Sequence, residues 1–123
     1  MKNKHNIIWA KKPREHDYPA AASYLSLIYP AAPTRKLVKK LRRALMTQFH
    51  AKDIFRASRL PLLGANNFHV KKVRAKIARG HKVSPLLLVR DEANGQVVIA
   101  DGYHRMCGVY SFDEDAIIPC KIV

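Results

Sequence analysis

The stretch that decides the fold is residues 81–123, HKVSPLLLVRDEANGQVVIADGYHRMCGVYSFDEDAIIPCKIV. Pro85 to Arg90 is a nearly uninterrupted apolar run, and Gln96 to Ala100 is a second. Between them, Asp91 to Gly95 carries the residue types that favour tight turns, so the two runs form a hairpin. A helix starting at Tyr103 or His104 and running to Tyr110 follows, and Ile117 to Val123 closes the chain as a strand, with Asp113 to Asp115 in the loop between. Upstream, Leu60 to Leu63 is a short apolar run ahead of Gly64 and the Asn66-Asn67 pair, which reads as a strand or its remnant and a turn. Asn67 to Arg79 is then a helix. Phe68, Val70, Val73 and Ile77 supply its buried side, Lys71, Lys72, Arg74, Lys76 and Arg79 its wet side, and Gly80 sits where a C-terminal glycine belongs. The order from Arg59 is strand, helix, strand, strand, helix, strand, a small mixed-sheet α/β (α+β) domain over residues 59–123.

Residues 1–58 read as a basic N-terminal arm and a helical extension. The arm, to Glu15, has no sustained periodicity and becomes ordered only by docking Ile7, Ile8 and Trp9. Asp17 caps a short helix through Leu27 or Ile28, ended by Pro30 and Pro33. Thr34 is a good N-cap for the next helix, in which Leu37, Leu41 and Leu45 with Val38 and Phe49 form one apolar stripe. Its other face carries Arg35, Lys36, Lys39, Lys40, Arg42 and Arg43, and Asp53 to Ser58 follows as another short helix. Trp9, Tyr18, Tyr24 and Tyr29 are expected to pack the arm onto the domain, the alternative being a cover for a base.

At 123 residues and 48% hydrophobic, the chain allows one modest core and excludes disordered and collagen-like classes. No apolar run approaches the roughly 18 residues of a membrane span. The N-terminal run Ile7 to Ala10 is far short of a signal-peptide core of about 7–15 residues. A cytoplasmic protein with no membrane partner is expected. Cys107 and Cys120 are thirteen apart, which matches neither a zinc spacing nor a disulfide framework, so both read as buried thiols. His5, His16, His50, His69 and His81 show no pair spacing that marks a metal site.

The formal charge is +14. Residues 1–17 hold five basic and two acidic residues, residues 18–90 hold sixteen basic and one acidic (Asp53), and residues 91–123 hold two basic and six acidic. A long segment with one carboxylate cannot neutralise its own field, and such a surface collects phosphates by counterion release. Nucleic acid is the expected bulk partner, met by the helix bearing Arg35 to Arg43, although a solvated basic face or an acidic protein partner fits the same charges.

The chemistry concentrates in Asp101-Gly102-Tyr103-His104-Arg105, where a strand gives way to a helix. Backbone N–H groups at such a junction lack helical acceptors, the helix dipole favours an anion, and glycine permits close approach. His104 and Arg105 add side-chain donors, and Arg can grip two phosphate oxygens at once. A phosphate site is the natural reading. The alternative is structural, with Asp101 capping the helix and Arg105 pairing with Asp113 or Asp115.

Three blocks in order, Val83-Ser84-Pro85-Leu86-Leu87-Leu88-Val89-Arg90, Ile99-Ala100-Asp101-Gly102-Tyr103-His104-Arg105 and Ile118-Pro119-Cys120-Lys121-Ile122-Val123, resemble the core of the ParB/sulfiredoxin superfamily. The resemblance covers about half the chain. It implies a nucleotide (ATP, ADP or CTP, with Mg2+) held by its phosphates on Gly102, His104 and Arg105, with Tyr103, Ser84 and Lys82 as neighbouring contacts. Tyr103 stands where ParB proteins carry Glu and where sulfiredoxins carry their reactive cysteine, so sulfinic-acid reduction is not expected. The free-serine kinases of the superfamily read DGHHR, similar to DGYHR here. An enzyme of this type, whether NTPase, phosphotransferase or nuclease, would use Asp101, His104 and Arg105 as catalytic residues. No carboxylate between Asp53 and Asp91 is available to a kinase as base. Three readings stay open: a nucleotide- or phosphate-binding domain that engages nucleic acid, a small nucleotide-dependent enzyme, and a non-catalytic protein-interaction module. A homodimer is compatible with each.

Overall fold

The computed structural model describes residues 6–123. Leu86, Leu87, Leu88 and Val89 are consecutive, and all four are buried. Successive side chains of a strand point to opposite faces, so four buried neighbours require cover on both sides of the sheet. This strand, β2 (Leu86–Asp91), lies within a sheet that also contains β1 (Thr47–His50), β3 (Gln96–Asp101) and β4 (Ile117–Ile122), in the order β1-β4-β2-β3. β2 pairs antiparallel with β3 and parallel with β4, while β1 pairs antiparallel with β4. The sheet is mixed and the class is α/β, as the hairpin and closing strand predict.

Five helices supply the cover: α1 (Asp17–Leu25), α2 (Ala31–Arg43), α3 (Ala51–Ser58), α4 (Phe68–Ala78) and α5 (Tyr103–Phe112). On one face, Leu86, Leu88, Ile99, Ile118 and Cys120 pack with Ile54 of α3, Val70 and Ile77 of α4, and Met106, Cys107 and Val109 of α5. On the other, Leu87, Val89, Val98 and Ala100 pack with Tyr18, Ala21 and Leu25 of α1 and Leu41 of α2. The result is three layers. Each fully buried Leu among these stabilises the fold by about 1.5–3 kcal/mol relative to an exposed one. Residues on both sides of position 58 contribute to both clusters.

The arm docks as a strand-like segment. The Val83 N–H donates to Ile8 O (2.7 Å) and the Ala10 N–H to Val83 O (2.8 Å), while Ile7 and Trp9 pack on the first cluster and Ile8 stays exposed. Tyr18 is buried, Tyr29 is half-buried against the second cluster, and Tyr24 is exposed.

Several local expectations are corrected. His16, not Asp17, holds the N-cap position of α1, and Asp17 is a buried member of the first turn. α2 begins at Ala31 behind Pro30, so Thr34 is not its cap; Thr34 Oγ1 instead donates to Tyr29 O (3.2 Å) from within the helix. Pro33 is tolerated there because first-turn N–H groups have no helical acceptor. The helix also stops at Arg43 rather than reaching Phe49, leaving Leu45 88% exposed. Thr47 to His50 pair with the outer edge of β4 instead, so ladder hydrogen bonds outweigh continuation of the helical stripe. Leu60 to Leu63 forms no strand: Arg59 ends α3 in a left-handed conformation, and Pro61 cannot donate to a ladder. Phe68 opens α4 at 67% exposed rather than on its buried side, and Val70 and Ile77 carry the packing of α4 into the first cluster. Asn67 is the N-cap of α4, its side chain accepting from the His69 and Val70 N–H groups at 3.0 and 3.2 Å.

Candidate functional site

β3 ends at Asp101 and α5 begins at Tyr103, so the DGYHR segment occupies a strand–helix junction. Gly102 between them takes φ +112°, a conformation that L side chains rarely adopt. A Cβ there would lie 2.7 Å from Leu86 Cγ and 2.8 Å from Arg105 Nη2, so space as well as torsion demands glycine. Gly102 is the N-cap, and no side chain caps α5; Asp101 does not act as one.

Asp101 is bound instead to Arg105. Arg105 Nη2 donates to Asp101 Oδ2 at 2.8 Å and to Pro85 O at 3.4 Å. The alternative pairings fail, since Asp113 Oδ1 accepts from the Asp115 N–H and Asp115 pairs with Lys52. Arg105 Nε is buried with no hydrogen-bond partner, a donor left unspent in a site where desolvation has already been incurred. Burial raises the Asp101 pKa above the ordinary carboxylate value, and the Arg105 guanidinium opposes that shift.

His104 lies on the other side of the junction, its ring 4.7 Å from that of His69 at the start of α4 and 5.4 Å from that of Tyr103. Burial, aided by His69, lowers its pKa from 6.5, so it is a neutral hydrogen-bonding group at pH 7 rather than a second cation. The Tyr103 hydroxyl donates to Pro61 O, and burial raises its pKa. Ser84 is buried and donates to Asp17 Oδ2, which also accepts the Arg14 N–H at 3.1 Å; Arg14 Nη2 in turn donates to Lys82 O at 3.1 Å. Asp17 and His16 are close enough to influence Asp101. The structure therefore gathers Gly102, Asp101 and Arg105 at one edge, with Ser84 spent on Asp17 and His104 turned toward α4. Lys82 and His81 are exposed, and His5 lies outside the described residues.

The donors suit a phosphate. The first N–H groups of α5, the orphaned Arg105 Nε and neutral His104 could all donate, and Asp101 is the nearby carboxylate that could meet a magnesium ion once Arg105 released it. Among the described residues, no group of three His, Cys, Asp or Glu side chains could hold a metal by itself.

The basic surfaces are divided. Arg35, Lys36, Lys39, Lys40, Arg42 and Arg43 are all exposed on α2, in the layer covering Leu87 and Val89. The cations of α4 belong to the opposite layer. Arg42 is engaged, its guanidinium pairing with Glu15 and lying 4.4 Å over the Tyr18 ring. Among the described residues the other five α2 cations make no ion pair.

From the sequence Asp17 reads only as a helix cap, and Arg14 and Lys121 carry no site role. Alternation along Ile118, Cys120 and Ile122 marks β4's first-cluster face, but places Lys121 on a face that sequence alone would assign to water. Both cysteines are buried and free. Among the described residues, no helix is long and apolar enough to cross a membrane. Compared with known proteins, the chain matches no family model, no curated protein and no solved structure.

Proposed function

We propose that this protein binds nucleic acid through the phosphate backbone, with the outer face of α2 as its contact surface. The observation that carries this reading is the set of five exposed cations, Arg35, Lys36, Lys39, Lys40 and Arg43, without an ion-pair partner among the described residues in a chain of formal charge +14. A helix of this length spans about 20 Å, the rise of roughly six base pairs, so several cations reach successive phosphates at once. Such contacts carry affinity without reading sequence. The test is fluorescence anisotropy with labelled duplex and single-stranded oligonucleotides. A Lys36/Lys39/Lys40/Arg43→Ala variant is expected to bind more than about tenfold more weakly than the native protein, through loss of several counterion-releasing contacts. An equal variant on α4, Lys71/Lys72/Lys76/Arg79→Ala, should lose less. Unchanged binding by the α2 variant would reject this role for the helix.

A second reading, nucleotide binding at the α5 junction, is favoured by the orphaned Arg105 Nε beside Gly102. It also accords with the resemblance of DGYHR and its flanking blocks to the ParB/sulfiredoxin superfamily. In this reading Arg105 exchanges Asp101 for phosphate oxygens, and Asp101 becomes free to act as a general base or a magnesium ligand. Calorimetric titration with ATP, ADP, CTP and GTP, with and without magnesium, tests it. Selective binding lost in Arg105→Ala supports the site, and metal-dependent turnover lost in Asp101→Ala would make it an enzyme. No binding by any nucleotide would leave the junction structural and favour an interaction module.

A further inference from the structure

Lys121 is a cation in an apolar position. It sits in β4 opposite Leu87 of β2 and is only 8% exposed, on the face covered by α1 and α2. Its Nζ donates to Arg42 O at 2.9 Å and lies 5.6 Å from the centre of the Tyr18 ring. Among the described residues it meets no carboxylate. The Arg42 carbonyl belongs to the last turn of α2, whose dipole favours a cation, but an ammonium has three donors and this contact uses one. A buried charge without a counter-ion is costly, which makes the space beside it informative.

That space is a cleft of about 470 Å³ between the arm and α1–α2, lined by Lys12, Arg14, Glu15, Tyr18, Arg42 and Lys121. Four of these side chains are cations and one is an acid. Glu15 is largely exposed and pairs with Arg42, so a carboxylate already rests against one of the cations. Tyr18 is buried with Arg42 over its ring, which leaves no open aromatic face for a base to stack on. The cleft shares no lining residue with the Gly102–Arg105 junction.

We infer that this cleft is a second anion site, built for a phosphate or pyrophosphate group, in which Lys121 and Arg42 form the floor, Lys12 and Arg14 the rim, and Glu15 is the internal carboxylate that the ligand displaces. The phosphate chemistry is common to a free phosphorylated small molecule and to a phosphate of a nucleic-acid backbone. The inference does not depend on either reading of the α2 face or the junction.

The experiment is calorimetric titration of the full chain with inorganic pyrophosphate. Lys12→Ala/Arg14→Ala, on the exposed rim, is expected to weaken binding by about tenfold or more, as lost charge-assisted contacts do. Lys121→Met should weaken it similarly, and Glu15→Gln should strengthen it, while Arg56→Ala, on the exposed face of α3, leaves it unchanged. If Lys121→Met fails to fold, the rim variant and Glu15→Gln still decide the matter. Three results would overturn the inference: no binding up to about 10 mM pyrophosphate, binding lost only in Arg105→Ala, which assigns it to the junction, or an equal loss in Lys39→Ala/Lys40→Ala, which reduces it to general surface charge. Once pyrophosphate binding is established, competition by ADP but not by a single-stranded oligonucleotide identifies a small-molecule source, and the converse identifies a backbone phosphate.

Discussion

Three glycines separate backbone strain from steric crowding, and replacing each by alanine gives a graded prediction. Gly95 takes φ +61°, but a Cβ there would meet nothing nearer than Arg59 Nη2 at 3.6 Å, so Gly95→Ala incurs backbone strain alone. That costs about 1–2 kcal/mol. Gly108 lies inside α5, where its helical backbone suits alanine, yet a Cβ would approach Val73 Cγ1 to 2.6 Å across the α4–α5 contact. Here overpacking of about 1–3 kcal/mol works against a gain of about 1 kcal/mol in helix propensity. Gly102 suffers both penalties, with φ +112° and Leu86 Cγ at 2.7 Å. Because Leu86 is fully buried in the first cluster it cannot swing aside, so Gly102→Ala should cost about 2–5 kcal/mol. Urea unfolding followed by circular dichroism measures all three, as a fall in midpoint at unchanged slope. The thermal midpoint of Gly102→Ala should drop by roughly 10 °C or more. Were Gly102→Ala as stable as Gly95→Ala, the close approach of Leu86 to the junction, and with it the geometry of the candidate site, would be refuted.

Other consequences follow from the ionisable groups. Burial pushes the Cys120 thiol up to about 11, and it also raises that of Cys107, so neither should react with a thiol reagent at pH 8 until urea is added; rapid reaction of the native protein would contradict the packing of β4 and α5. His104 is held below its ordinary 6.5, so the folded chain binds fewer protons here than the unfolded one, and stability is lost as pH falls below 6.5. His104→Gln should flatten that slope below about pH 6.5 in thermal melts, and an unchanged slope would contradict the partial burial of His104 against α4. Asp101 has the opposite sign: its folded pKa is raised above 3.8, so its contribution declines as pH rises from the unfolded value through the folded one. Asp101→Asn should remove that decline, and a native protein that instead gains stability relative to the variant across this range would mean that Arg105 dominates over burial.

The hairpin, α4, α5 and the closing strand were legible because their signals are local: the Asp91 to Gly95 turn, the helical spacing of Val70, Val73 and Ile77 ahead of Gly80, and the Gly102 junction. β1 was not. Thr47 to His50 is four mostly polar residues whose strand character comes from the free edge of β4, more than sixty residues later. The same holds for the end of α2, where Leu45 continues a helical stripe that the backbone abandons. In the candidate site, the junction and its glycine were readable from DGYHR, whereas the Arg105–Asp101 pair depends on how the start of α5 folds back over β3. Ser84 and Asp17 meet across sixty-seven positions, and Lys121 became interior only because α1 and α2 cover a face that alternation alone would leave to solvent. The division at residue 58 followed the change from helical to mixed pattern, but the two halves share both hydrophobic clusters.

The salt dependence of nucleic-acid binding reads out phosphate contact by α2 as a number. Anisotropy with a labelled duplex across a series of potassium chloride concentrations yields the slope of log K against log salt, which counts phosphates neutralised. Five unpaired α2 cations on the backbone predict a slope of about −4.5, falling toward zero by about 0.9 for each cation removed from Lys36, Lys39, Lys40 and Arg43. A duplex that does not bind at low salt, or a slope that these substitutions leave untouched, would mean that α2 does not contact the phosphate backbone.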